Sequence, residues 1–132
     1  MTEPTNDTML PFDELGGTPI VSALVERFYD LMESDPRFAQ LRGIHGVDLM
    51  PMRASLTGFL TAWLGGPRDW FAQRPGACIM SAHRQLGFDA SHTDQWTAAM
   101  AQELCDVAAP PALAVRLNEA FLRMGRAMQR TE

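Results

Sequence analysis

Four stretches of this chain repeat apolar residues every three or four positions, and none alternates them. Ile20, Leu24, Phe28 and Leu31 form the first stripe. Leu49, Met52, Leu56, Phe59 or Leu60, and Trp63 form the second. Trp96, Met100, Leu104 and Val107 form the third, and Leu113, Leu117, Phe121, Met124 and Met128 the last. Such spacing gathers side chains on one face of a helix, whereas a half-buried strand needs a period of two. The chain is therefore read as all-α, with about six helices of unequal length packed ridge into groove around one core.

Glycine and proline mark where these helices begin and end. Phe12 to Gly17 reads as a short helical turn closed by glycines. Thr18-Pro19 and Asp35-Pro36 each set a capping residue before a proline in the first helical position, the second starting a short helix to about Leu41. Gly43 and Gly46 bracket Ile44-His45 in a loop, and the next helix has Asp48 near its start and Pro51 in its first turn. Gly65-Gly66 suits a left-handed cap after Trp63-Leu64, and Pro67 forbids continuation. Arg68 to Gly76 reads as irregular, and Pro75 as the opening of a short helix carrying Cys78 to Leu86. Ser91-x-x-Asp94 resembles a capping box for the helix of Trp96, and Pro110-Pro111 opens the last helix. Residues 1–10 read as a flexible tail and 11–132 as a single domain, long enough to bury a core.

Composition removes several function classes. The net charge of −5 disfavours nucleic acid, which is bound by clustered cations. No apolar run is long enough to span a membrane, and the acidic, polar start lacks the plan of a signal peptide. A cytosolic protein is expected. Two cysteines, Cys78 and Cys105, are too few for a disulfide scaffold or a thiolate zinc site, so apolar packing is the expected use of both.

Catalytic signatures are absent: there is no GxSxG, P-loop, GxGxxG or HExxH, and no paired histidine motif on a helix. The remaining chemistry is one imidazole, His83, among Ile79, Met80 and Leu86, together with Tyr29 and Trp96 on helices that could converge. A single imidazole can hold a haem iron, because the porphyrin supplies the equatorial ligands. Tyr29 O–H and Trp96 N–H could then donate to a bound ligand. On the residues alone, a satisfied core histidine and two core aromatics remain the more frequent alternative.

The order and spacing of four features are more specific. Phe28-Tyr29 closes the first long helix, and Trp63-Leu64-Gly65-Gly66-Pro67 ends a later one. His83 follows, and Trp96 stands thirteen positions beyond it. In these features, and over roughly Phe12 to Met128, the sequence resembles the truncated haemoglobins, and within them group II. The resemblance implies a two-over-two helical sandwich enclosing one haem b. It implies that His83 is the axial iron ligand, and that Tyr29 and Trp96 are distal donors. His45 becomes a third polar distal group, and Met52 occupies an apolar distal position. Leu56, Phe59, Trp70, Met80, Leu86 and Phe88 become haem contacts. The run Ala82-His83-Arg84-Gln85-Leu86 departs from the family's basic-His-x-Pro-Phe, and Ser55 replaces a frequent basic partner of a haem propionate. Arg53 and Arg84 are the nearest substitutes.

The function that follows is reversible binding of oxygen and other diatomic ligands. Three donors would hold oxygen tightly, which suits sensing, scavenging or redox chemistry better than oxygen transport. The alternative is a haem redox enzyme, peroxidase-like or nitric oxide dioxygenase-like, which would need a separate reductase. A third reading, a helical interaction module without haem, rests only on the altered residues around His83. The oligomeric state is left open by the sequence.

Overall fold

In the computed structural model of the chain, the described residues are 9–45, 49–73, 83, 84 and 86–129. They form α1 (Pro11–Leu15), α2 (Thr18–Ser34), a 3-10 turn (Pro36–Phe38), α3 (Ala39–Gly43), α4 (Met50–Trp63), α5 (Asp69–Gln73), α6 (Ala90–Asp106) and α7 (Pro111–Met128). No strand occurs among them, and no described helix is long and apolar enough to cross a membrane. The pair α2–α4 packs over the pair α6–α7, with α2 also lying on α6. This is the two-over-two globin sandwich expected from the sequence. Most of the expected tail, the opening of the helix at Pro75, Cys78 and Met80 lie outside the described residues.

The four stripes become the core. Val21, Leu24, Val25 and Phe28 of α2 meet Leu56, Phe59 and Leu60 of α4, while Trp96, Met100 and Leu104 of α6 face Leu113, Leu117 and Phe121 of α7. Helix α4 stops as anticipated. Gly65 takes φ 103°, the Gly65 N–H donates to the Ala62 carbonyl at 3.1 Å, and the Gly66 N–H donates to the Thr61 carbonyl at 2.9 Å. That pair of bonds satisfies carbonyls a helix end would otherwise leave bare. The Leu64 carbonyl then accepts from the Phe12 N–H at 2.9 Å, so the stop also seats α1.

Four local expectations are corrected. Gly17, at φ 76°, caps α2, and Thr18 is already helical. The residues after Arg68 are not irregular throughout: α5 forms there and lays Trp70 on Gly58 of α4, where a Cβ would come within 2.9 Å of the Trp70 ring. Helix α6 is capped by Asp89 rather than Ser91. The Asp89 carboxylate accepts from the N–H groups of Ser91 (2.9 Å) and His92 (3.2 Å), and the Asp89 N–H donates to His92 Nδ1 at 3.1 Å. Cys105 is exposed on α6, not packed in the core.

Glu103 of α6 is a buried acid, 2% exposed, whose Oε2 has no hydrogen-bond partner among the described residues. Burial, reinforced by the neighbouring Asp106 carboxylate, pushes its carboxyl from 4.5 up to about 7. Between those two values the folded chain keeps a proton that the unfolded chain has lost. Stability contributed by the neutral acid is therefore present below the lower value and lost as pH rises through the upper one. With solvent screening allowed for, the expected loss is about 1 kcal/mol. Urea midpoints compared at about pH 5 and about pH 8 should show it, and Glu103→Gln should flatten the difference; an unchanged slope in that variant would place its origin elsewhere.

Candidate functional site

A cavity of about 620 Å³ opens between the two helix pairs. Helix α2 supplies Phe28 and Tyr29, and the end of α3 supplies Leu41, Ile44 and His45. Helix α4 supplies Met52, Ser55, Leu56 and Phe59, and α5 supplies Trp70. His83, Leu86 and Phe88 form another wall, and Trp96, Met124 and Met128 of α6 and α7 complete it. Ten residues singled out in the sequence thus share one cavity: His83, Tyr29, His45, Met52, Trp96, Leu56, Phe59, Trp70, Leu86 and Phe88. Phe28, Leu41, Ile44, Met124 and Met128 line it without having been anticipated there, and Ser55, expected where relatives carry a propionate partner, lines it too. Met124 and Met128 were legible as the end of the last apolar stripe, which continues past the core into the cavity wall.

The two arginines expected to meet a haem propionate do not line the cavity. Arg53 donates to Glu26 Oε2 at 2.7 Å and Asp30 Oδ1 at 2.9 Å, with Glu33 Oε1 at 3.6 Å. These acids recur on the face of α2 that meets α4, and they draw the guanidinium over the Tyr29 ring, 5.6 Å from its centre. Arg84 donates to the Ala127 carbonyl of α7 at 3.0 Å, which ties the His83 segment to the last helix.

The polar groups inside the cavity differ in what they have left to offer. Tyr29 is buried and makes no hydrogen bond among the described residues; burial, partly opposed by Arg53, raises its hydroxyl well above the usual phenol range. It is a neutral donor at any ordinary pH. Trp96 differs from expectation: its Nε1–H donates to the Phe121 carbonyl at 2.9 Å. A buried N–H must find a partner, and α7 can bring one because residue 125 is glycine. A Cβ there would stand 2.8 Å from Thr93 Cγ2 and 3.1 Å from Trp96 Cδ1.

The His45 Nδ1 lies 2.8 Å from the Leu41 carbonyl. Burial holds the His45 imidazole below its usual range, against the opposing pull of that bond, with the nearby His83 adding to the lowering, so the ring is neutral. His83 sits with its ring edge-on to Phe88, centres 5.6 Å apart, and its carbonyl accepts from the Leu86 N–H at 3.0 Å. The turn closes at Gly87, φ 79°, so the helix expected to reach Leu86 has ended by then.

These residues suit a flat, largely apolar cofactor. The volume falls in the range of about 300–1,000 Å³ typical of ligand pockets, and the walls are aliphatic and aromatic with few polar groups. Among the described residues no three His, Cys, Asp or Glu gather as a protein-only metal site requires. An iron whose equatorial ligands come from a macrocycle needs only the imidazoles present.

The bacterial-like globin family matches residues 11–130. Among solved structures, the chain is similar to a cold-adapted truncated haemoglobin from the Antarctic marine bacterium Pseudoalteromonas haloplanktis TAC125. That similarity is 28% identity and a TM-score of 0.88 over 94% of this chain and 100% of the other. It is similar to a group II 2-on-2 haemoglobin from the plant pathogen Agrobacterium tumefaciens at 26% identity and a TM-score of 0.89, over 98% and 100%. A thermostable haemoglobin from the actinobacterium Thermobifida fusca gives 27% and 0.81, over 93% and 98%. No curated protein matches the chain.

Proposed function

The chain belongs to the bacterial-like globin family, and from that premise we propose that it is a group II truncated haemoglobin that binds oxygen and other diatomic ligands in the cytosol on haem b, with His83 as the iron ligand. One observation carries this reading: His83 and Tyr29, whose hydroxyl has no hydrogen bond among the described residues, line the same apolar cavity. A haem bound there supplies an iron at which small ligands dock. The chain's own residues supply the rest. His83 tethers the cofactor, and Leu56, Phe59, Trp70 and Phe88 exclude water from its faces. Tyr29 would donate a hydrogen bond to a ligand held there.

The first test is an absorption spectrum of the purified protein, ferric and reduced. A Soret band supports the reading, and its absence after haem addition would overturn it.

A ligand carrying partial negative charge beside Tyr29 would be held by its O–H, and a hydrogen bond to a charged group is worth about 1.5–3 kcal/mol. Tyr29→Phe is therefore expected to speed oxygen release by about 10- to 100-fold. Trp96→Phe is expected to change release little, because its N–H already serves the Phe121 carbonyl. Stopped-flow release from both variants separates the roles; a large acceleration in Trp96→Phe alone would reverse them. The redox-enzyme reading would require turnover with an added reductant, and the same Tyr29 donor would serve it.

A further inference from the structure

We propose that His45 is the second axial ligand of the haem iron in the ligand-free protein, opposite His83, so that a diatomic ligand binds only after His45 has let go. This deepens the haem reading above and rests on it. The His45 and His83 rings both line the cavity, their centres 6.2 Å apart and their planes at 66°. A metal–imidazole bond runs about 2.0–2.1 Å, and a further 1.1 Å or so separates the bonding nitrogen from the ring centre. Two axial imidazoles on one iron therefore stand about 6.3 Å apart. The separation already present in the chain is the one that ligation requires.

The hydrogen bond at His45 points the same way. A carbonyl only accepts, so His45 Nδ1, 2.8 Å from the Leu41 carbonyl, must carry the ring proton. In the neutral tautomer so fixed, Nε2 carries the lone pair. Metal-bound histidines are commonly fixed in this manner, the second nitrogen donating to a carbonyl. A ring whose Nδ1–H is committed to Leu41 has Nε2 left to offer. It can coordinate. The Tyr29 ring braces His45 from the side, centres 6.1 Å apart and planes at 88°.

The test uses the full chain loaded with haem, as wild type, His45→Leu and His45→Gln, with helicity checked by circular dichroism. At mildly acid pH, where hydroxide does not supply a strong ligand, the ferric wild type is expected to give a low-spin electron paramagnetic resonance signal. Both variants should keep the Soret band and turn high-spin. Carbon monoxide should combine with the reduced variants about tenfold faster or more, since a closed form that opens about 10% of the time or less imposes that penalty on the wild type. A high-spin ferric wild type overturns the proposal and leaves the haem reading standing. A low-spin signal that survives in both variants overturns it in favour of another ligand. No Soret band in the wild type overturns the haem reading, and this proposal with it.

Discussion

Replacing His83 with glycine is expected to weaken haem retention by at least about 10- to 100-fold, and free imidazole in the buffer is expected to restore much of it. The lower bound follows from what outer partners of metal ligands are worth; removal of the ligand itself costs no less. The glycine leaves a hole the shape of the lost ring, bounded by Phe88, whose ring meets His83 edge-on. The surrounding segment should stay in place, because Arg84 still reaches the Ala127 carbonyl of α7. Free imidazole can then enter the hole and take over the iron. The rate of haem transfer to an excess of another apoglobin reads the loss, and the Soret band reads the rescue. If His83→Gly held haem as tightly as the wild type, the assignment of His83 would be wrong.

Phe121→Ala is expected to cost about 3–5 kcal/mol, the usual range for deleting a buried phenyl group. Total stabilities run about 5–15 kcal/mol, so one substitution would consume a large share. Phe121 is 2% exposed. Its ring stacks on Trp63 of α4 at 5.6 Å and 26°, and meets Trp96 of α6 edge-on at 5.6 Å. It thus joins three of the four long helices, and it does not line the cavity, so no cofactor can fill the void its removal leaves. Urea unfolding of the apoprotein should show a lower midpoint with an unchanged slope. A loss below about 1 kcal/mol would mean that α7 closes over the gap.

The long helices were legible because their signals are redundant. In α2, Pro19 fixes the start while Leu24 and Phe28 fix the buried face; in α4, the Gly65-Gly66 stop coincides with the end of the stripe at Trp63. Helix α5 was missed because five residues give too little periodicity to read, and what holds it is the fit of Trp70 against a glycine in another helix. The cap of α6 was misplaced because Ser91-x-x-Asp94 resembles the common box, while the true pair, Asp89 with His92, uses an imidazole where glutamate is usual.

The site divides along the same line. Its apolar walls follow in part from helical spacing: Leu56 and Phe59 belong to the second stripe and Trp96 to the third, whereas Phe88 belongs to none and was expected there only from the resemblance. The directions of its hydrogen bonds do not follow from spacing, because the partners are backbone carbonyls. The Phe121 carbonyl that takes the Trp96 N–H and the Leu41 carbonyl that takes the His45 N–H have no signature in residue type. Arg53 was drawn toward the cofactor by position alone. Its three acids on α2 were visible in the sequence, but their pairing depends on how α2 and α4 lie together.

The close approach of α6 and α7 at Thr93, Trp96 and Gly125 also couples the side chains these three positions can carry. Any side chain at position 125 collides with Thr93 and crowds the indole while position 96 holds tryptophan. A larger residue at 125 therefore requires the side chain at 93 to give way first, with the indole at 96 shifting by a few tenths of an ångström besides. Positions 93, 96 and 125 thus constrain one another, although 125 lies nearly thirty residues beyond 96 in the chain.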